Sequence, residues 1–254
     1  MNTRTMLAFD LGAESGRAIL GHFDGEHLRL EEKHRFANGP VQIFDRLYWN
    51  PLSLFYEMKQ GLGLSYKAQG GALDSVGIDT WGVDFALLGP GDALLDNPRN
   101  YRDPRTDGML KKAFARVPRE EIFAQTGIQF MKFNTLYQLL AMRSSPLLDQ
   151  AQTLLLMGDL FNFFFTGVKV CEFSNVTTTQ FYNPSAGDWA RTLLNKFDLP
   201  HHFLPEIVEP ATHIGHLTGA ISEELGIRPV PFIAPATHDT GSAVAAVPTE
   251  DANY

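Results

Sequence analysis

The sequence predicts one layered α/β domain built on a mixed sheet. Three observations carry this. Short apolar runs bounded by turns dominate the first third of the 254 residues. Helix-spaced segments then alternate with further short apolar runs. No solenoid-length repeat or low-complexity tract interrupts them. Hydrophobic residues make up 44% and charged residues 20%, enough apolar material for a substantial core.

Taken in order, the apolar run Met6–Phe9 stops at Asp10. A turn containing Gly12 and Gly16 follows, and a second strand resumes at Ala18. His27–Lys33 alternates as a third antiparallel strand with one wet face. Asn50-Pro51 is a helix start, with Asn as cap and Pro at the first helical position. Leu52, Phe55, Tyr56, Leu62 and Tyr66 continue at helical spacing, while Gly61 and Gly63 weaken that helix and leave its end open. Ser75–Asp79 reads as a short buried strand, Phe85–Leu88 as renewed apolar character, and Gly89–Asp92 as a turn between strands. Pro118–Gly127 has the Pro start, early acids and Gly stop of a helix. Asn134 is placed to cap Thr135–Arg143. Leu154–Met157 predicts a strand, and Asp159–Phe165 a helix ending at Gly167. Asn175–Gln180, polar and β-branched, suits neither a stable helix nor a buried strand. Trp189–Phe197 reads as helix, Pro231–Ala234 as strand, Ala236–Gly241 as a polar turn and Ser242–Val247 as a small-residue helix start. Residues 249–254 read as a frayed end.

Composition excludes several classes. A net charge of −8 with no basic cluster argues against non-specific nucleic-acid binding. The single cysteine, Cys171, excludes an intramolecular disulfide framework and fits a reducing compartment. The amino terminus lacks the apolar core of a signal peptide. The longest apolar-looking stretch, Leu160–Phe165, is broken by Asn162 and too short to span a membrane. The expectation is a cytoplasmic protein with neither a nucleic-acid nor a membrane partner. Gly-x-Ser-x-Gly, His-Glu-x-x-His and Walker A motifs are absent from the sequence, and Ala13 and Glu14 break the dinucleotide fingerprint. Cys171 has no His or Asn partner that sequence can assign.

Four polar constellations lie at strand ends. Around Asp10–Arg17, backbone N–H groups and the Ser15 hydroxyl suit phosphate oxygens, Asp10 suits Mg²⁺, and Arg17 offers a forked cation; an ordinary charged hairpin reads the same way. In Asp79–Asp84, exposed backbone at Gly82 beside Trp81 suits a carbohydrate, which needs an apolar platform and convergent polar groups. The alternative is a core tryptophan between a strand cap and a turn. Tyr101–Thr106 places Arg102 and Arg105 around an Asp-Pro turn, able to grip an anion or to make solvated ion pairs. In Thr237–Gly241, Asp239 is either a helix N-cap or a general base for a substrate hydroxyl attacking a γ-phosphate. His238 could orient it, bind sugar hydroxyls or serve structure alone.

Together with Gly127–Phe130, Phe133–Leu139 and Asn175–Gln180, these stretches resemble the FGGY family of carbohydrate kinases. They occur in family order over nearly the whole chain. The pairing of Thr80–Asp84 with His238–Thr240 is similar to the members acting on L-rhamnulose rather than on xylulose or glycerol. The resemblance implies a ribonuclease-H-like (actin-like ATPase) domain, a mixed central sheet with flanking helices, and ATP-dependent phosphorylation of the 1-hydroxyl of L-rhamnulose with Mg²⁺. By that carry-over Ala13, Glu14, Ser15, Gly16 and Arg17 face the ATP phosphates and Asp10 acts on the metal. Gly82, His238, Asp239 and Thr240 contact the sugar, and Asp239 takes its proton. We add Trp81, Phe130 and Phe133 as an apolar wall for the 6-deoxy methyl group.

Family members are about twice this length. The resemblance therefore covers residues 1–248 as the amino-terminal, sugar-binding and phosphate-side domain, and the second, nucleotide-binding domain is absent from this sequence. Phosphoryl transfer depends on positioning between two closing lobes, so weak or absent kinase activity is expected of the polypeptide alone. Self-association or pairing with a separate second lobe is a further expectation. Two alternatives stand beside this reading: a family kinase for another ketose or polyol such as xylulose, and a non-catalytic sugar-binding or interaction module.

Overall fold

The computed structural model describes residues 3–249, so of the expected frayed end only Thr249 falls within the described residues. Strands β1 (Arg4–Leu11) and β2 (Ser15–Phe23) form the opening hairpin, and β3 (Leu28–Ala37) extends it. A small hairpin, β4 (Val41–Ile43) and β5 (Arg46–Tyr48), leads into α1 (Pro51–Ala68), β6 (Ser75–Thr80) and β7 (Phe85–Leu88). Then come α2 (Met109–Phe114), α3 (Arg119–Thr126), α4 (Thr135–Ala141) and α5 (Pro146–Gln150). The chain continues through β8 (Thr153–Leu156), α6 (Met157–Thr166), β9 (Cys171–Glu172), α7 (Phe173–Val176), β10 (Tyr182–Asn183), β11 (Asp188–Trp189) and α8 (Arg191–Lys196). It closes with β12 (Ile207–Val208), β13 (His213–His216), α9 (Gly219–Leu225), β14 (Pro231–Ile233) and α10 (Asp239–Ala245).

The central sheet has the order β13-β14-β6-β1-β2-β3 and is mixed, as expected. Its middle three strands, β14, β6 and β1, are parallel. Their carboxyl ends therefore open on one edge, where ligands of open α/β sheets bind. Asp10 lies in register with Asp79, and Thr80 bridges to His238.

Alternation along the strands sends Leu7, Phe9, Leu11, Ala18, Leu20, Val76 and Ile78 into the core, leaving Asp10, Arg17 and Asp79 partly exposed on the opposite face. On the buried face, Phe165 of α6 stacks on Phe9 and Phe232, with ring centroids 6.1 and 5.1 Å away, and Phe55 of α1 meets it edge-on at 4.8 Å. The glycine at position 61, which weakens α1 on propensity grounds, has a packing role. A β-carbon there would stand 2.8 Å from Ala18 Cβ, so only glycine lets the helix lie this close to β2. The helix runs through both glycines to Ala68.

Asn50 caps α1 by accepting from Ser53 N at 3.1 Å, as its position predicts. Other boundaries move. Asn134 precedes α4, but its side chain makes no cap bond, and the helix stops at Ala141 rather than Arg143. Met157 opens α6 instead of closing β8. Trp189 pairs with Tyr182 in β11, leaving only Arg191–Lys196 helical. The ladder partner of β7 is β8, so the Gly89–Asp92 turn is local, with Leu88 meeting Leu94 across it. Asn175–Gln180 becomes the end of α7 and a 3-10 turn. There Thr177, Thr178 and Thr179 each donate a hydroxyl hydrogen bond of 2.7 Å to the carbonyl three residues earlier. That local bonding explains how a β-branched run becomes helical without an apolar face.

Candidate functional site

The carboxyl ends of β1 and β6 and the turn after β14 surround one cavity of about 510 Å³. Ala13, Trp81, Gly82, Tyr101, His238 and Asp239 line it, and Phe133 closes the apolar side. The size lies within the usual range for small-molecule sites.

Each wall has a local cause. The β1–β2 turn closes when Gly12 N donates to Ser15 O at 2.9 Å, and Asn38 Nδ2 donates to Gly12 O at 2.7 Å. Ala13 and Glu14 form the tip, and Arg17 pairs with Asp10 across the hairpin. Gly82 passes so close to Thr178 and His238 that a β-carbon would stand 3.0 Å from Thr178 Cγ2 and 3.1 Å from His238 Nε2. The next residue, Val83, has a φ of 68°, in the left-handed region that costs a β-branched residue about 1–3 kcal/mol. Three bonds hold it there. Its N–H donates to Thr178 Oγ1 at 3.0 Å, and its carbonyl accepts from Thr135 Oγ1 at 2.7 Å and Gln138 Nε2 at 3.3 Å.

Trp81 is both readings at once. It is buried, with its ring 4.1 Å from that of Trp49, and it lines the cavity. Asp84 is neither a free acid nor a simple turn residue. Its buried carboxylate accepts from Trp49 Nε1 at 2.6 Å, Trp81 Nε1 at 3.1 Å, Tyr101 N at 3.0 Å and Gln138 Nε2 at 2.8 Å. Burial pushes its pKa up to about 6, against the opposing pull of the donors Trp49 and Gln138. Phe130 departs from the expected wall. It packs against Phe114 and Phe123 beside a separate shallow pocket, because the Gln129–Phe133 loop turns its ring away from Trp81. The loop is pinned by Gln180 Nε2, which donates to Ile128 O at 3.2 Å, and by Asn134 Nδ2, which donates to Gln129 O at 3.0 Å and Gln180 Oε1 at 2.8 Å.

Asp239 is the first residue of α10 rather than its cap, which is His238. Thr240 does not line the cavity. It donates to Asp239 Oδ1 from its N at 2.6 Å and from its hydroxyl at 3.1 Å. His238 Nε2 lies 3.5 Å from Asp239 Oδ1, and burial lowers the histidine pKa, leaving a neutral imidazole at pH 7.

Two residues matter here beyond the roles sequence assigned. Asp79 lies in register beside Asp10 and feels the charges of both Asp10 and Asp239. Burial first, then those two carboxylates, raises its pKa to about 7. Glu172 is fully buried and accepts from Thr237 N and Oγ1, both at 2.8 Å, and from Ser174 N at 2.8 Å and Oγ at 2.5 Å. His238 N donates in turn to Ser174 Oγ at 3.2 Å, so one buried carboxylate anchors the turn carrying Asp239. Asp79 sits in the quoted Gly77–Phe85 stretch, whereas nothing local marks Glu172.

A cation at Asp10 fits one mode only. Among the described residues, no group of three or more His, Cys, Asp or Glu could hold a metal ion. Mg²⁺ held through one carboxylate, waters and nucleotide phosphates needs no such group. Arg17 and the Ala13–Glu14 tip beside Asp10 offer the donors that phosphates require.

The chain matches the model of the FGGY family of carbohydrate kinases, N-terminal domain, over residues 5–246. The chain belongs to that family. It is similar to a rhamnulokinase of Oceanobacillus iheyensis, with 42% identity over 247 residues, and to one of Bacteroides thetaiotaomicron, with 40% identity over 253 residues. These alignments cover 96% and 99% of this chain but 52% of each relative. The chain thus spans about half the length of the curated relatives it matches. Among solved structures, a gluconate kinase from Lactobacillus acidophilus superposes with a TM-score of 0.81 at 19% identity, covering 91% of this chain and 47% of that one. A xylulose kinase from Rhodospirillum rubrum also gives 0.81, at 17% identity, covering 91% and 48%. The fold is accordingly that of FGGY sugar kinases, the actin-like α/β architecture expected from the motifs.

Proposed function

We propose that residues 1–248 are the sugar-binding, phosphate-side domain of a cytoplasmic kinase that transfers the γ-phosphate of ATP to the 1-hydroxyl of L-rhamnulose. In this reading Gly82 backbone, His238 and Asp239 hold the sugar hydroxyls, while Trp81 and Phe133 face its 6-deoxy end. Thr240 acts by holding the Asp239 carboxylate. The 1-hydroxyl oxygen bonds to the γ-phosphorus as the bond to the ADP oxygen breaks, and its proton passes to Asp239. Ala13, Glu14, Ser15, Gly16 and Arg17 face the phosphates, and Mg²⁺ at Asp10 would neutralise their charge. The adenine side is left to a second lobe.

The observation that carries this reading is the shared rim. Asp239 and Ala13 line one cavity with Gly82 and Trp81, and Asp10 lies one residue before the end of β1, the strand next to β6. The naming of the relatives as rhamnulokinases supports the choice of sugar. Thermal unfolding with L-rhamnulose, D-xylulose and glycerol tests it. A ligand at 100 times its Kd stabilises the native state by about 2.7 kcal/mol, so rhamnulose alone should raise Tm by several degrees. A larger rise with xylulose or glycerol would favour another kinase of the family. No response to any sugar would leave a non-catalytic module.

A further inference from the structure

A second cavity, of about 500 Å³, shares no lining residue with the first. Its polar side is cationic: Arg46, Arg99, Arg105, Lys112 and Arg143 all line it, with Asp96 as the acid among them. Several of these charges are already met. Arg99 lies 3.3 Å from Asp96, Arg143 pairs with Asp198, and Arg46 lies 3.5 Å from Asp45 and 3.9 Å from Asp103. Two are not. Lys112 lines the cavity, is exposed, and has no carboxylate within ion-pair distance among the described residues. Arg105 donates from Nη2 to Gln138 Oε1 at 2.5 Å, while its Nε and Nη1, both buried, have no acceptor.

Those two nitrogens carry almost no accessible surface, so Arg105 offers the cavity only its remaining edge. Burial is also the leading cause that lowers the Arg105 pKa to about 10, with Asp84 and Asp103 opposing it, so the guanidinium stays charged at neutral pH. The other side of the cavity is apolar, formed by Phe85, Leu87, Leu95, Met109 and Leu147. Guanidinium groups and an ammonium facing an apolar wall suit a compact anion carried on an organic body. The Arg102–Arg105 segment, ambiguous in sequence between an anion grip and solvated ion pairs, is thus split: Arg105 turns inward and Arg102 stays exposed over the Tyr101 ring.

We propose that this cavity is a second ligand site, separate from the sugar cavity, that takes a phosphate monoester. Arg105 and Lys112 hold the phosphate, and the Phe85–Leu95 side takes the organic part. The site does not depend on the kinase reading, since none of its residues belongs to the sugar cavity or the opening turn.

Calorimetric titration of the full chain with inorganic phosphate and with phenyl phosphate tests it. Phenyl phosphate should bind more tightly than phosphate, by at least about threefold, because only it reaches the apolar wall. Lys112→Glu should weaken both by about tenfold, and Arg105→Gln should abolish binding. Circular dichroism shows whether Arg105→Gln folds; if it does not, the exposed Lys112→Glu change decides alone. No heat at about 10 mM phenyl phosphate overturns the proposal. So does binding that survives Lys112→Glu but is lost in Arg17→Ala, which would put the phosphate at the opening turn.

Discussion

At Gly82 the proposed sugar cavity has room for backbone and nothing more. The methyl of a Gly82→Ala variant would meet His238 Nε2 at 3.1 Å and Thr178 Cγ2 at 3.0 Å, so the imidazole must give way. The backbone there is not left-handed, so the fold should lose less than about 1.5 kcal/mol while sugar affinity falls about tenfold. Calorimetry on the variant, set beside its Tm, separates the two effects; unchanged affinity would remove Gly82 from the site. Asp79 gives a pH signature. Its pKa in the folded chain is raised to about 7 from 3.8, so the native state binds its proton more tightly than the unfolded state does. The stability this confers is full below about pH 4 and is lost as pH rises through about 7. Asp79→Asn removes that loss and should stabilise the protein by about 4 kcal/mol at pH 8, with less than about half that gain at pH 5. Urea unfolding of both proteins at the two pH values checks the sign. An equal difference at both would mean that Asp79 does not titrate in this window.

The turn from β14 into α10 is held by an element far away in sequence. Glu172, at the end of β9, accepts two bonds from Thr237 and two from Ser174, all from buried or half-buried donors. In Glu172→Ala those donors lose their partner together, which should cost about 3–5 kcal/mol and loosen the turn carrying Asp239. Urea unfolding reads the first effect and hydrogen exchange at Thr237 and His238 the second. A loss under about 1 kcal/mol would show that the carboxylate anchors nothing. This anchor also marks where the sequence stops being legible. Five of the six strands of the sheet, all but β13, and the caps at Asn50, Gly127 and Gly167 follow local rules and could be read in advance. The motifs at Asp10, Gly82 and Asp239 marked the strand ends that the fold brings to one edge. Glu172 could not be seen, because its meaning depends on Thr237, 65 positions later. Phe130 was misplaced for a related reason. The direction of its ring depends on Gln180 and Asn134 pinning the loop, and no periodicity encodes that.

At the scale of the molecule, the sheet presents its chemistry on one edge and leaves that edge open. Among the described residues no helix is long and apolar enough to cross a membrane. The match is to the amino-terminal domain of the family, and the named relatives are about twice as long. The Ala13–Arg17 turn can meet phosphates and Asp239 can meet a hydroxyl, but neither fixes the distance between them. In phosphoryl transfer nearly all the acceleration comes from that positioning and from charge placed around the transferring group, and a well-oriented pair gains about 7–11 kcal/mol over free encounter. A chain holding sugar on one side and only the phosphate tail of a mobile nucleotide forfeits a large part of it. The 254-residue polypeptide by itself should therefore bind L-rhamnulose yet release ADP at least about 1,000-fold more slowly than a two-lobed kinase of this family. A coupled ADP assay beside the calorimetric sugar titration reads both. Sugar binding without turnover is the expected pair. Turnover within about tenfold of a two-lobed enzyme would mean that this edge positions ATP unaided, and that the second lobe serves something other than the chemistry.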